Sequence, residues 1–325
     1  MKHKMTVALL SGGTSPEREV SLTSGNQVQA ALDQKKYHVR RYDPKTDIPR
    51  LIAEASRIDV ALVMLHGSPG EDGSVQGLLD LLGIPYQCAG VLGSAVSMNK
   101  LASKQLYVQN QIPTPAFNIF QKKKAVSGMD MEINITACIE RLGLPLVVKP
   151  GSGGSSIGMG IVQSADDLFP ALENAFTYDD TVLAEAYVRG TEITGAVIGN
   201  RRLEALPIIE IVPKTSHAFF DYQAKYTAGE TEEICPARIS EKLAEKAGTL
   251  AKKAHQALFC KGYSRTDMII SGNSADADIY VLETNTIPGM TPASLLPIAA
   301  RAAGMSFSDL IDRLIALALE TPSFP

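Results

Sequence analysis

Cysteine is scarce in this chain of 325 residues, and its four cysteines are widely scattered without a C-x-x-C pair. This excludes a disulfide framework and a cysteine zinc site and indicates reduced thiols. Long hydrophobic runs are also missing, since Gly, Pro or charge interrupts each apolar stretch before the roughly 18 residues that span a bilayer. The apolar stretch after the basic first residues is too short for a signal peptide. We therefore expect a cytoplasmic protein with no membrane contact.

An excess of positive charge is absent too, because 31 Lys and Arg stand against 35 Asp and Glu, a net charge of −4. This argues against a nucleic-acid binder, which needs a basic face, but it leaves room for a local phosphate pocket. Apolar residues at 45% and charged residues at 20% are typical of a globular protein. The length fits two domains or three small ones.

Strand and helix patterns alternate along the first hundred residues. Apolar strands are predicted at 7–10, 39–42 and 59–65, and a helix at 21–33. The continuous apolar run at 59–65 is typical of a strand buried on both faces of a parallel sheet. Ligands gather at the carboxyl ends of such strands, so the loops after Leu10 and Leu65 are candidate sites.

The rest of the chain mixes helices with short strands. A helix from about residue 94 ends at the Pro-containing segment 112–115, which predicts a linker. Further helices are predicted at 133–141, from 165, at 240–259 and near the C-terminus. Strands are predicted at 144–148, 159–162, 181–184, 194–198, 205–212, 267–270 and 279–282. The polar, aperiodic stretch 214–233 is typical of a lid.

A phosphate-binding pattern follows the strand at 144–148. Lys149 offers a positive charge, and the Gly- and Ser-rich loop 151–158 offers backbone N–H groups that can cradle phosphate oxygens. The alternative is a mobile loop after an edge strand. The loop matches neither a Walker motif nor a dinucleotide fingerprint. Residues 154–158 match the G-x-S-x-G hydrolase elbow, but the strand pattern at 159–162 stands where that elbow needs a helix.

Oxygen ligands for a metal occur on two late strands. Glu283 and Asn285 are two residues apart and therefore share one strand face, while Asp267 is placed at the start of the preceding strand. Arg265 lies two residues before Asp267, on the same face. Carboxylate and amide oxygens suit Mg²⁺ held together with substrate phosphates. The alternative is a solvated polar sheet surface.

Two polar loops follow N-terminal strands. Glu17 can pair with a ligand amine or act as a helix-start acid favoured by the helix dipole. His66 begins the loop His66-Gly67-Ser68-Pro69-Gly70-Glu71-Asp72-Gly73, and a lone histidine at a strand end is more often structural.

Taken together, these residues resemble the D-alanine–D-alanine ligases of the ATP-grasp superfamily. The resemblance runs from about residue 7 to 317. The matching stretches are 12–21, 66–67 with 70–73, 97–100, 148–150 with 154–159, 224–226, 265–267 and 283–291. Their order and spacing make the resemblance specific. Two departures are the uncharged loop 151–154, where relatives often carry charge, and an extra His217 with two phenylalanines in 216–222.

The resemblance implies an α/β, three-domain ATP-grasp fold, with an N-terminal open parallel sheet and two α+β domains that clamp ATP. The implied boundaries are 1–99 for the N-terminal substrate domain, 100–187 for the central domain, and 188–325 for the C-terminal domain with the metal site and lid. By position, the implied nucleotide contacts are Lys100, Lys149 and Lys225 to phosphates, Glu185, Ala186 and Val188 to adenine, and Glu192 to ribose.

The remaining implied roles concern metal and amino-acid binding. Two Mg²⁺ ions, with Mn²⁺ as an alternative, would bind Asp267, Glu283 and Asn285. Arg265 and the N–H of Gly289 would steady the oxyanion. Glu17, with His66 near it, would hold the ammonium of the first D-alanine. Ser294 and the Leu295 N–H would hold the carboxylate of the second D-alanine. Tyr226 would hydrogen-bond Ser155, which in turn reaches Glu17.

The implied function is ATP-dependent formation of D-alanyl-D-alanine through an acyl phosphate, for peptidoglycan precursor synthesis, by a homodimer. One alternative is a ligase that makes D-alanyl-D-lactate or D-alanyl-D-serine. A second is a non-catalytic nucleotide-binding module, which the presence of Asp267, Glu283 and Asn285 disfavours.

Overall fold

The N-terminal part of the fold is a parallel sheet, as predicted. The computed structural model describes residues 4–122, 128–154, 157–213, 231–272, 274 and 276–320. Strands β1 (Met5–Leu10), β2 (Tyr37–Tyr42) and β3 (Val60–Val63) pair in the order β2-β1-β3, all parallel. Helices α1 (Arg18–Ala31), α2 (Ile48–Glu54) and α3 (Ser74–Leu81) connect or follow them. The third strand is buried along its whole length but is shorter than 59–65.

The single helix expected from about residue 94 is wrong, because the chain forms two helices there. These are α4 (Val91–Met98) and α5 (Lys100–Gln109), separated by Asn99 in an extended conformation. The Asn99 side chain accepts a hydrogen bond from the Ala102 N–H at 2.9 Å, so Asn99 caps the second helix. The break places Lys100 at a helix start, where its N–H donates to the Gly151 carbonyl at 2.7 Å.

The central sheet is antiparallel and has the order β4-β7-β5-β6. Its strands are β4 (Phe117–Gln121), β5 (Leu146–Pro150), β6 (Gly160–Val162) and β7 (Thr181–Ala186). Helices α6 (Gly128–Leu142) and α7 (Ala165–Ala175) complete this layer. Because β6 follows the Gly/Ser loop directly, the helix that a hydrolase elbow needs is replaced by a strand, as predicted.

The C-terminal sheet is antiparallel and includes β8 (Thr191–Ile198), β9 (Glu204–Ala205), β10 (Ile209–Pro213), β11 (Thr231–Ile234), β12 (Tyr263–Ser271) and β13 (Asp278–Asn285). The order is β11-β10-β8-β12-β13, with β9 beside β8. Helix α8 (Glu241–Ala257) packs its apolar face on the sheet. The single strand expected at 205–212 is wrong, since residues 206–208 interrupt it around Pro207, which has no N–H for a ladder bond.

The last two helices return to the N-terminal sheet. Helix α9 (Leu295–Ala302) and helix α10 (Phe307–Ala318) share one apolar core with β1 and β3. Lys36 Nζ lies 2.6 Å from Asp312 Oδ2 on α10, which adds an ion pair to this contact. The domain boundaries after residues 99 and 187 stay predictions.

The segment 214–233 is only partly described. Residues 214–230, which include Lys225 and Tyr226, lie outside the described residues, as does Ser155 in the Gly/Ser loop. Residues 231–233 belong to β11, which pairs with β10, so this end of the predicted lid is a strand. Over the part of the chain that the structure describes, none of the helices has the length and apolar character to cross a membrane.

Candidate active site

Four polar side chains form a patch on one face of the β12–β13 pair. The strand register sets Asp267 opposite Glu283 and Arg265 opposite Asn285. Residues two apart on a strand share a face, and so do directly opposed residues. Asp267 is the fifth residue of the nine-residue strand β12, so the expectation that it starts the strand is wrong. Its longer strand brings all four predicted residues together.

Hydrogen bonds hold the Asp267 carboxylate in one orientation. Arg265 donates from Nε to Oδ1 and from Nη2 to Oδ2, both at 2.8 Å. Thr194 Oγ1 on β8 donates to Oδ1 at 2.7 Å. The Asn285 amide nitrogen donates to Oδ2 at 3.2 Å, which leaves its amide oxygen for another partner. Asp267 is therefore buried and fixed in one orientation at the floor of the site.

The opposite face of the same strands is a buried hydroxyl network. Thr266 Oγ1 and Thr284 Oγ1 lie 3.0 Å apart, and the Tyr107 hydroxyl on α5 donates to Thr284 at 2.8 Å. Burial raises the pKa of Tyr107, so its hydroxyl stays protonated as a donor. Helix α5 is thus anchored to the strands that carry the patch.

A β-bulge adds an apolar side chain to the site. Asp267 pairs with Glu283 but Met268 pairs with Val281, so Leu282 has no partner across the ladder. Adjacent strand residues normally face opposite sides, and a bulge is the usual way to re-aim one of them. Here both Leu282 and Glu283 line the same cleft.

The cleft of about 740 Å³ lies between the central and the C-terminal sheets. Its charged lining residues are Lys100 and Lys149 on the central side, and Glu192, Asp267 and Glu283 on the C-terminal side. Apolar side chains come from both sides, namely Ile157, Met159, Ile269 and Leu282. The structure therefore brings Lys100, Lys149, Glu192, Asp267 and Glu283 into one cleft, whereas Asn285 lines a neighbouring cavity and Lys225 lies outside the described residues.

The predicted phosphate lysine Lys149 forms an ion pair at the back of this cleft. Its Nζ lies 2.8 Å from Glu185 Oε1 on β7. Val147 on β5 is opposite Glu185, which puts Lys149 and Glu185 diagonally on one face of the sheet. Ala186 ends β7, and Val188 lies half-buried in the connection to β8. The three predicted adenine residues thus lie at the end of β7 and just after it; none of them lines the cleft, and Glu185 contacts Lys149, which does.

The Gly/Ser loop closes over the helix that starts at Lys100. The Lys100 ammonium donates to the Gly153 carbonyl, and Asn99 bridges to Ser152. Both contacts are in addition to the backbone bond from Lys100 to Gly151. The loop is therefore tied to α5 on its N-terminal side, next to Ser155.

Glu17 faces the same loop from the N-terminal sheet. A β-carbon at Gly67 would lie 3.2 Å from Glu17 Oε2, and Gly67 has a φ of +66°, so glycine is required there on both counts. A β-carbon at Gly154 would lie 3.9 Å from the same oxygen. Glu17 therefore lies near Gly154 of the loop, while the predicted Glu17–Ser155 contact falls outside the described residues and stays a prediction.

His66 is buried beside Glu17 and has a ring nitrogen without a partner among the described residues. Burial lowers the pKa of His66, the Glu17 carboxylate opposes this, and Arg265 adds to the lowering. The neutral ring therefore offers one unused nitrogen. A lone structural histidine would be expected to satisfy both nitrogens, so the arrangement favours a ligand contact.

Glu71 is a site residue to which the sequence analysis assigned no role. It lines a second cavity of about 420 Å³ together with Lys100, Gly154, Glu283 and Asn285, so this cavity adjoins the main cleft. Burial raises the pKa of Glu71 to about 8, and nearby Glu17 and Glu283 act in the same direction. The sequence signals were its place in a loop after a buried strand and in the stretch 70–73 that carries the family resemblance.

The predicted carboxylate site lies at the start of α9. Ser294 is the N-cap residue, and Leu295 is the first helical residue, whose N–H has no acceptor within the helix. A β-carbon at Gly289 would lie 2.9 Å from Ser294 Oγ, so the two predicted residues are adjacent and a larger residue at 289 would displace the Ser294 hydroxyl. Helix starts favour anions, as this role requires.

The described residues contain no group of three or more His, Cys, Asp or Glu side chains that could hold a metal ion by themselves. Two carboxylates and one amide do converge, at Asp267, Glu283 and Asn285. Such a partial set is typical of Mg²⁺ that completes its shell with substrate phosphates and water. A cation at Asp267 must share or displace the present donors, of which Asn285 makes the longest bond.

Comparisons with known proteins agree along almost the whole chain. Family models described as D-ala D-ala ligase N-terminus and C-terminus match residues 40–89 and 106–316. A D-alanine–D-alanine ligase from Syntrophobacter fumaroxidans is 58% identical over 317 residues, 98% of each chain. The crystal structure of D-alanine–D-alanine ligase from Bacillus anthracis complexed with ATP matches with a TM-score of 0.81, 36% identity and 97% of each chain. The VanG D-Ala:D-Ser ligase from Enterococcus faecalis matches with a TM-score of 0.81 at 29% identity, over 98% of this chain and 100% of that one.

Proposed function

The chain belongs to the D-alanine–D-alanine ligase family, and we propose that it joins two D-alanine molecules at the expense of ATP, for peptidoglycan precursor synthesis. In the first step, the carboxylate oxygen of one D-alanine attacks the γ-phosphorus of ATP, and ADP leaves. In the second step, the amine of the other D-alanine attacks the acyl carbon. Phosphate leaves, the amine gives up a proton, and D-alanyl-D-alanine remains.

One observation carries this proposal: a single cleft has lysines on one wall and carboxylates on the other. Lys100 and Lys149 provide charge for direct contact with phosphates, while Asp267 and Glu283 repel them unless a cation lies between. A polyphosphate bound with Mg²⁺ satisfies both walls. The apolar side chains Ile157 and Leu282 then flank the position available to adenine, and Glu192 the ribose.

The residues fit one or more Mg²⁺ ions, with Mn²⁺ as an alternative. Asp267, Glu283 and Asn285 would hold them, and two ions are the proposed number. When bound, the metal would neutralise charge on the phosphates. Arg265 is held by Asp267 at 2.8 Å and so is fixed beside these ligands, where a guanidinium can stabilise an oxyanion or a phosphate oxygen.

The amino-acid sites adjoin this cleft. Glu17 is the proposed partner of the first D-alanine's ammonium, with the neutral His66 beside it. Ser294 and the Leu295 N–H are proposed to hold the second carboxylate, and the Gly289 N–H the oxyanion. Lys225, Tyr226 and Ser155, outside the described residues, are proposed to complete the site from the lid and the loop. Exclusion of water by the lid would protect the acyl phosphate from hydrolysis.

Phosphate release is the experiment that tests the proposal. The protein with ATP and Mg²⁺ is assayed with D-alanine, with L-alanine and with no amino acid. We expect release that depends on D-alanine and yields one D-alanyl-D-alanine per phosphate. Equal release without amino acid indicates an ATPase, and ATP binding without release under any condition indicates a non-catalytic module.

A D-alanine–D-serine ligase is the second candidate, since the solved VanG D-Ala:D-Ser ligase has the same fold over the whole chain. Chromatography of the products formed from D-alanine, D-serine and D-lactate at equal concentrations distinguishes the two activities, and we expect D-alanyl-D-alanine to be the main product. We also propose that the activity is cytoplasmic, because its substrate ATP is supplied there. The homodimer is a further proposal, which light scattering at assay concentrations tests.

A further inference from the structure

A buried cluster of three charges lies behind the phosphate wall. Lys104 on α5 is 1% exposed, and its Nζ lies 3.2 Å from Glu185 Oε2. Lys149 holds the other oxygen of the same carboxylate at 2.8 Å. Two lysines thus share one buried glutamate, which leaves one positive charge in excess. The assigned roles of Lys149 and Glu185 do not explain the second lysine.

Lys104 is held more firmly than Lys149. Its ammonium also donates to Thr114 Oγ1 at 2.6 Å, and Thr114 in turn donates to the Val281 carbonyl on β13 at 2.8 Å. Its side chain is 1% exposed against 11% for Lys149, which lines the cleft. Of the two lysines, only Lys149 is positioned to turn toward a ligand in the cleft.

The charges of the cluster show why Glu185 needs a lysine partner. Burial opposes ionisation of Glu185, but the charges of Lys104 and Lys149 outweigh it and hold its pKa below the ordinary value. Burial lowers the pKa of Lys104 to about 8. The charge of Glu185 raises this pKa, and the charge of Lys149 lowers it further. A buried carboxylate without a counter-charge is strongly unfavourable. Without Lys104, Glu185 would therefore retain Lys149 as its sole partner.

We propose that Lys104 is a positioning residue that supplies a buried, fixed counter-charge to Glu185 and so releases the Lys149 ammonium to bind the phosphates of ATP. This inference rests on the proposed function only in taking ATP as the ligand. It concerns binding alone, so it is tested without D-alanine. A failure of ligation would appear in the phosphate-release assay of the wild-type protein and leave this test intact.

The test compares dissociation constants of ATP and adenosine by calorimetry, since only ATP carries the groups that Lys149 would contact. Lys104→Met should weaken ATP binding by about tenfold, the size expected for one charge-assisted hydrogen bond, and change adenosine binding by less than about twofold. In Lys104→Met/Glu185→Gln, where the carboxylate that retains Lys149 is gone, the ratio of ATP affinity to adenosine affinity should return to within about threefold of wild type, because loss of the proposed adenine contact of Glu185 would weaken both ligands alike. Tyr107→Phe on the same helix is the matched control and should leave the ATP-to-adenosine ratio unchanged.

Three results would overturn the proposal. The first is equal weakening of ATP and adenosine by Lys104→Met, which indicates a structural role. The second is unchanged ATP binding in that variant, and the third is no recovery in the double variant. If Lys104→Met does not fold, Glu185→Gln alone decides, because releasing Lys149 should preserve or increase the preference for ATP over adenosine, and a lower preference contradicts the proposal.

Discussion

The two walls of the cleft are built from the same kind of antiparallel sheet but present opposite charges. The central wall presents Lys100 and Lys149, and the C-terminal wall presents Glu192, Asp267 and Glu283. The central cations are set by ion pairs and loop contacts, whereas the C-terminal acids are set by strand register and a bulge. From this difference we infer that one polyphosphate can bind both walls, because it can contact the lysines directly and the carboxylates through a cation.

The largest effect is expected from the acidic wall, through Glu283→Gln. The variant keeps the side-chain shape but removes a proposed metal ligand, so turnover should fall by at least about 100-fold while thermal stability changes little. Phosphate release across a Mg²⁺ titration measures this. Asp278→Asn, on the exposed end of the same strand, is the control and should retain activity. Near wild-type turnover of Glu283→Gln at ordinary Mg²⁺ would refute the metal assignment.

A smaller effect is expected on the cationic wall, through Lys149→Met. Loss of one charged contact to phosphate should raise the KM for ATP by about 10- to 100-fold and alter the KM for D-alanine far less. Glu185 keeps Lys104 as its partner, so the fold should survive. The exposed Lys253 on α8 gives the control variant Lys253→Met. A rise in both KM values by the same factor would show that Lys149 acts on the whole site.

The lid is expected to contribute less than either wall. Tyr226→Phe removes one proposed hydrogen bond to Ser155, a net effect of about 0.5–1.5 kcal/mol, or about two- to tenfold. A lid closed less firmly should admit a hydroxy acid, so the ratio of D-alanyl-D-lactate to D-alanyl-D-alanine should rise. Product analysis with both acceptors in competition measures it. An unchanged ratio, or mostly ester from the wild type, would contradict the argument.

The smallest effect concerns Glu71, between the two walls, and it is an effect on stability. Because burial raises its pKa to about 8, the folded state keeps a proton that the unfolded state loses above about pH 4.5. Stability from this group therefore falls as pH rises from about 4.5 to 8. The Tm of Glu71→Gln minus the Tm of the wild type should therefore be a few degrees higher at pH 8 than at pH 5. The exposed control Glu19→Gln should show no such pH trend, and a flat difference for Glu71→Gln would contradict the burial argument.

Strand periodicity predicted part of the acidic wall, namely the shared face of Glu283 and Asn285, whereas Glu192 was predicted only from the family resemblance. Glu283 and Asn285 are two residues apart, and the turn after residue 271 folds β13 back on β12, so their shared face follows from local spacing. The family resemblance added the roles. The bulge at Leu282 was not predictable, because periodicity assumes an uninterrupted ladder and only the partner strand shows where it slips.

The cationic wall was harder to predict because its geometry depends on long-range contacts. Lys104 and Glu185 are far apart in the sequence, and an isolated lysine on a helix is normally solvated. The helix break at Asn99 is a capping effect that apolar periodicity overlooks. Glu71 acquires its raised pKa through burial in the folded protein, with a further contribution from Glu17 and Glu283 of other segments. These features belong to the tertiary fold, not to local sequence.

The most direct test of the two-wall account is the gain in ATP affinity that Mg²⁺ provides, measured by calorimetry for three proteins. The account predicts a clear gain in the wild type, the same gain on a weaker baseline in Lys149→Met, and little or no gain in Glu283→Gln. If both variants keep the wild-type gain, the carboxylates do not bind the nucleotide through a cation, and the account of the acidic wall is contradicted.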